Sequence, residues 1–209
     1  MGNRAVITTK ENFDNNGIGV YLHWNGGFDS VSAFLKYCEL KGYRSPDKDN
    51  YGWARLCQVI GNFFGGSTSI GIDTVNKLDC DNYDNGVYII EGWKIVDRKY
   101  KRYTEQMNHD MNDMLMGIDK AQPEKEQLGE YLTAKEISLN EVKVGDIVIL
   151  MDYNGTVEKH KVIGFGDDVL VNGTNVNGLP YVDKFNNDFE CDKNINNYIR
   201  TKTVKVVEE

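Results

Sequence analysis

Hydrophobic and polar positions alternate in two distinct rhythms along the chain. Arg4–Thr9 is β-branched with a strand-like pattern, and Gly19–Trp24 repeats it after the polar stretch Asn12–Gly17, so the two segments are expected to form a β-hairpin. The period of two places Tyr21 and His23 on one face and Val20, Leu22 and Trp24 on the other. After Asn25-Gly26-Gly27 the period lengthens: Val31, Phe34, Leu35 and Cys38 share one face of a helix that Asp29 or Ser30 is placed to cap and Gly42 to end. Pro46–Asn50 reads as a turn with a capping residue at Asp49 or Asn50. A second helical stripe then runs through Trp53, Leu56, Cys57, Ile60, Phe63 and Phe64 to Gly65-Gly66. Ser69–Val75, Gly86–Glu91 and Trp93–Lys99 read as three strands, the last two joined by a tight turn at Glu91-Gly92.

From Tyr103 to Ile118 the residues Met107, Met111, Met114, Leu115 and Ile118 recur at helical spacing, which predicts a third helix with a Met-rich face. Residues 121–133 are charged around Pro123 and read as a linker. Beyond it, Val144–Asp152, Thr156–Phe165, Asp168–Val171 and Thr203–Val207 are short β runs between Gly, Asn and Asp turns. The expected organisation is an α+β domain over 1–120, the linker, and a small β-rich domain over 134–209. The α+β domain is expected to be a mainly antiparallel sheet with two or three helices on one face, and the second domain a β-barrel-like module.

Composition narrows the function. The 209 residues are 40% hydrophobic and 11% aromatic, enough for a packed core. A net charge of −8 opposes binding to phosphate backbones, so no direct nucleic-acid partner is expected. No apolar run approaches the roughly 18 residues of a membrane helix. Met1 is followed by polar residues where a signal peptide would be apolar, so the expectation is a cytoplasmic protein without membrane contact. Cys38, Cys57, Cys80 and Cys191 form no CxxC pair, and His23, His109 and His160 are isolated; neither a metal site nor a cofactor is expected.

Four segments carry candidate chemistry. Asn25-Gly26-Gly27-Phe28-Asp29-Ser30 lies between a strand and a helix and resembles the pyrophosphate-binding loop of the ATP pyrophosphatase family, with Asn25 where that family has serine. The resemblance implies phosphate binding by Gly26, Gly27, Asp29 and Ser30 at a helix N-terminus. The other reading of the same residues is a strand-to-helix corner with local caps. Next to it, Tyr21, His23, Trp24 and Asn25 bring aromatic rings, an imidazole and an amide to a strand end, where ligand sites often form. Asp79–Gly86 is rich in Asp and Asn but fails the calcium-loop register, since Gly86 stands eighth and Tyr83 takes a ligand position; as an acidic loop it is a candidate docking surface through Asp79, Asp81 and Asp84. Val144–Val148 followed by Lys159–Gly164 is similar to the β-rich domain of signal peptidases, but no Ser-Met pair supplies the nucleophile.

Arg4–Thr8, Val20–Gly27 and Asp84–Tyr88 together resemble a group of small bacteriophage and mobile-element proteins over residues 1 to about 100. That resemblance implies an accessory, anti-defence protein of the anti-CRISPR type. Such a protein would act by stoichiometric binding to a host defence protein, and its surface is expected to include Asp79, Asp81, Asp84, Met107, Met111 and Met114. Two alternatives stay open for Tyr21, His23, Trp24, Asn25, Gly26, Gly27, Asp29 and Ser30: an ATP-dependent adenylating enzyme, and a sponge that sequesters a nucleotide.

Overall fold

The computed structural model describes residues 2–67, 69–102, 109–151, 155–165, 169–171, 174–176, 180–182 and 203–207. The chain is mixed α+β and divides into two compact units, Met1–Glu124 and Lys125–Glu209. Cys191 and Met107 lie outside the described residues.

In the first unit, β1 (Ala5–Thr9), β2 (Ile18–Leu22), β3 (Ile70–Thr74), β4 (Val87–Glu91) and β5 (Lys94–Lys99) form one sheet in the order β3-β2-β1-β4-β5. Neighbours are antiparallel except β1 and β4, which run parallel at the centre. All five residues of β1 are buried, so both of its faces are covered, and its sequence accordingly reads as a near-continuous β-branched run. Register sorts the faces. Val6 lies beside Tyr21 and Val87, and with Ile89 it packs against Phe13, Leu78 and Cys80. Ile7 lies beside Val20 and Tyr88 on the opposite face. The expected hairpin of β1 and β2 is corrected in its connection: Lys10–Asp14 form a short helix, α1, capped by the Thr9 side chain, which accepts the Asn12 N–H at 3.3 Å. Five residues are too few to display a helical period, which is why the sequence reads there as a turn.

Helix α2 (Phe28–Leu40) buries Val31, Phe34, Leu35 and Cys38 along the expected stripe, together with Ala33 and Tyr37. It lies over the Tyr88 face, with the Phe28 and Tyr88 ring centres 6.4 Å apart. Helix α3 (Asn50–Phe63) starts at Asp49, whose carboxylate accepts the Tyr51 N–H, and buries Trp53, Leu56, Val59 and Ile60. Burying each such aliphatic side chain is worth roughly 1.5–3 kcal/mol. The third helix, α4 (Met111–Lys120), is shorter at its start than the spacing predicts. Asp110 is extended and its side chain accepts the N–H groups of Asn112 and Asp113, so the helix begins after it; the predicted turns over 103–108 fall outside the described residues. The three helices are tied by buried polar groups. Tyr37 donates its hydroxyl to Asp119 at 2.7 Å, and Gln122 donates to the carbonyls of Val59 and Ile118 while accepting from Asn62. Burial and the Asp119 carboxylate both hold the Tyr37 hydroxyl far above the usual tyrosine range.

The second unit contains β6 (Lys135–Ser138), β7 (Ile147–Met151), β8 (Val157–Phe165), β9 (Val169–Val171), β10 (Thr174–Val176), β11 (Pro180–Val182) and β12 (Thr203–Val206). Five of these make an antiparallel sheet in the order β11-β8-β7-β12-β6, and β9 pairs with β10. Leu139, Val142, Val148, Leu150, Val162 and Val204 form its core. Among the described residues β11 and β6 are not paired, so no closed barrel is formed. Ser138 and Glu141 form a reciprocal capping box on a short helical turn after β6.

Candidate functional site

The segment from His23 to Ser30 leaves the end of β2 and turns into α2. Its backbone is fixed by the start of the chain: Asn3 donates its N–H to the His23 carbonyl at 3.2 Å, and Gly26 donates its N–H to the Asn3 carbonyl at 2.8 Å. The Tyr88 hydroxyl then donates to the Gly26 carbonyl at 2.9 Å in a buried hydrogen bond. Asn25 sits at φ 52°, a left-handed position that asparagine tolerates better than most residues. A Cβ on Gly26 would lie 2.7 Å from the Arg4 carbonyl carbon and from the Asn3 oxygen, both backbone atoms. Glycine is therefore required at 26 by close approach to the strand. A Cβ on Gly27 would lie 2.7 Å from Asp29 Oδ1.

Gly27 is the residue before α2 and offers no side-chain cap; the carboxylate of Asp29 serves the helix start instead. Asp29 is 3% exposed, accepts the Ser30 N–H through Oδ1 at 2.7 Å, and accepts the His109 N–H through Oδ2 at 2.9 Å. A carboxylate at this position interacts favourably with the positive end of the helix dipole. Both of its oxygens are engaged by protein N–H groups. Ser30 is buried, and no partner of its Oγ is found among the described residues. Of the eight candidate ligand residues, Gly26, Gly27, Asp29 and Ser30 are thus buried and Asn25 half-buried.

The aromatic members face outward. Trp24 is 44% exposed and His23 is exposed; their rings meet edge to face with centres 5.0 Å apart, and Tyr21 follows at 6.4 Å from His23. Tyr21 is half-buried, and burial raises its hydroxyl more than nearby Arg4 lowers it. Together the three rings make a ledge beside the closed loop.

The acidic loop is a self-satisfied structure. Asn82, 1% exposed, donates to the carbonyls of Asp79 and Gly86 and accepts the N–H groups of Asp84 and Gly86. Asp84 accepts from the Arg4 guanidinium at 2.7 Å, Asp79 lies 3.7 Å from it, and Asp81 pairs with Arg102. All three candidate carboxylates therefore have cationic neighbours, and the loop presents less net charge than its sequence suggests. Of the methionines, Met111 is 37% exposed at the start of α4, whereas Met114 is buried in the helix packing. In the second unit, His160 is buried on β8 opposite Val148, and Lys159 is paired with Glu130 at 2.5 Å. No cluster of three or more potential metal ligands occurs among the described residues, and no helix there is long and apolar enough to cross a membrane.

Sequence reasoning missed the residues that close the loop. Asn3, Tyr88 and His109 lie about 23, 62 and 80 positions from the atoms they bond, and no local spacing announces them. Compared with known families, curated proteins and solved structures, the chain matches none.

Proposed function

We propose that this chain is a non-catalytic binding protein that acts by contact at a fixed molar ratio, with Tyr21, His23 and Trp24 as the centre of its contact surface. The observation that carries the reading is the pairing of an outward aromatic ledge with an inward-facing glycine loop. An exposed Trp24 backed by His23 and a half-buried Tyr21 supplies large contact area at low entropic cost, as residues that dominate binding energy do. The resemblance to bacteriophage and mobile-element proteins supports a host defence protein as the partner, by the anti-CRISPR type of inhibition. The rim of the Asp79–Asp84 loop, tied to Arg4 beside Tyr21, is a secondary candidate next to that surface, and Met111 is a separate one on the α2 side. The second unit is read as a barrel-like module, its strongly antiparallel five-stranded sheet being the support for that finer description.

The adenylating enzyme and the nucleotide sponge both require a phosphate at the start of α2. The Gly26 and Ser30 N–H groups, already engaged by the Asn3 carbonyl and the Asp29 carboxylate, weigh against both. The binding reading is tested by capturing partners from a host lysate with the wild-type chain and with Trp24→Ala. The expected result is a defence protein retained at a constant ratio by the wild type and lost by the variant, with unchanged circular dichroism. Equal retention by both proteins, or inhibition at strongly substoichiometric amounts, would contradict it.

A further inference from the structure

The two edges of the first sheet are built differently. On β5 the exposed positions include Lys94, Asp97 and Lys99, and a register shift interrupts its pairing with β4. Charges and bulges of this kind discourage a further strand. The other edge, β3, reads Ile70-Gly71-Ile72-Asp73-Thr74, with neither lysine nor proline, and Ile72 is 54% exposed. Its ladder with β2 fixes which backbone groups point outward. The N–H of His23 bonds the Ser69 carbonyl and the N–H of Val75 bonds the Gly17 carbonyl, so 69, 71, 73 and 75 face β2 and 70, 72 and 74 face away. The Thr74 N–H is covered by the Asp73 carboxylate at 2.7 Å. Among the described residues no strand pairs with the outward N–H and C=O groups of Ile70 and Ile72.

We propose that β3 docks on β3 of a second copy of this chain, antiparallel about a two-fold axis at Ile72. The strand is complementary to itself in that register. The Ile72 N–H of each copy meets the Ile72 carbonyl of the other, and each Ile70 N–H meets a Thr74 carbonyl; the return bond from the Thr74 N–H to the Ile70 carbonyl requires the exposed Asp73 carboxylate to swing off that N–H. On one face, Ile72 lies against Ile72 and Ile70 against Thr74, β-branched pairs that favour strand association. On the other face Asp73, the strand's one charged residue, lies against Gly71 and not against its own counterpart; it is already paired with Lys77 at 3.2 Å. The contact joins two five-stranded sheets into one and buries a half-exposed isoleucine from each copy. It borders the partner-binding ledge, because Tyr21 pairs with Gly71 of the same strand.

Sedimentation velocity of the full chain over a range of concentrations, compared with Ile72→Lys and with Val96→Lys on the opposite edge, tests the proposal. The wild type and Val96→Lys are expected to dimerise reversibly. Two lysines at the axis are expected to weaken the dimer by roughly a hundredfold. A wild type that is monomeric throughout, as it would be if β3 accepts a strand only from a different protein, overturns the proposal, and so does an Ile72→Lys chain that dimerises normally. Should the lysine variant fail to fold, Ile72→Cys carries the test: it is expected to form an oxidised dimer above the background of the native cysteines, while Asp73→Cys, which faces Gly71, does not. Equal cross-linking at both positions overturns the register.

Discussion

At Gly26 a single missing methyl group decides the path of the chain. The backbone of Asn3 and Arg4 stands where a Cβ would go, and neither can yield without displacing the first residues of β1. Gly26→Ala is therefore expected to cost about 1–3 kcal/mol of folding stability, measured by urea denaturation, with or without any ligand. A stability unchanged by that substitution would contradict the close approach. The cysteines give a second check. Cys38 is fully buried and burial raises its thiol well above the ordinary range; burial likewise pushes Cys57 up to about 11. Neither is expected to react with iodoacetamide at neutral pH until denaturant is added, and mass mapping of the alkylated sites would show it. The strand-to-helix corner was legible in the tandem glycines, because both readings of the motif place them between a strand and an amphipathic helix. The role of Asp29 was legible only in part: its place in the first helical turn is local, but its second hydrogen bond comes from His109, far along the chain.

Most elements of the first unit were readable because each buries one face and so prints its period on the sequence. β3, β4 and β5 fall within the predicted runs, and the α2 stripe is buried as its spacing requires. The parallel pairing of β1 with β4 was not readable, since strand order depends on contacts between segments some eighty residues apart. The connection between α2 and α3 shows how such elements are held. Asp47 accepts the Gly92 N–H at 3.0 Å, and Trp93 donates its ring N–H to the Tyr43 carbonyl at 2.8 Å, so this connection is fastened to the β4–β5 turn. Burial by itself would raise the Asp47 carboxyl; hydrogen bonds from Ser45, backbone N–H groups and Lys48 outweigh it and hold the group below the usual carboxylate range. Its contribution is thus present above about pH 4 and is lost as pH falls through the lowered folded value. Asp47→Asn is expected to reduce stability by about 1–2 kcal/mol at neutral pH and to make the acid limb of the Tm profile shallower than that of the wild type. Parallel wild-type and variant profiles would show that the carboxylate does not carry this linkage.

For the whole molecule, the division into two units each with its own sheet and core leaves the functional question on the first unit, where the loop and the ledge lie. The glycine motif suggests phosphate chemistry when read alone, and its surroundings favour the corner reading proposed above. The Gly26 amide serves Asn3, Asp29 occupies the helix start, and the rings of His23 and Trp24 are left at the surface. Sequence pattern could not separate the two readings, because both use the same glycines and the same carboxylate and differ only in what those groups face. Calorimetric titration of the full chain with Mg-ATP separates them most directly. The corner reading predicts no saturable heat and an unchanged Tm at millimolar nucleotide. Saturable binding that disappears in Gly27→Val, in a variant that still folds, would contradict it.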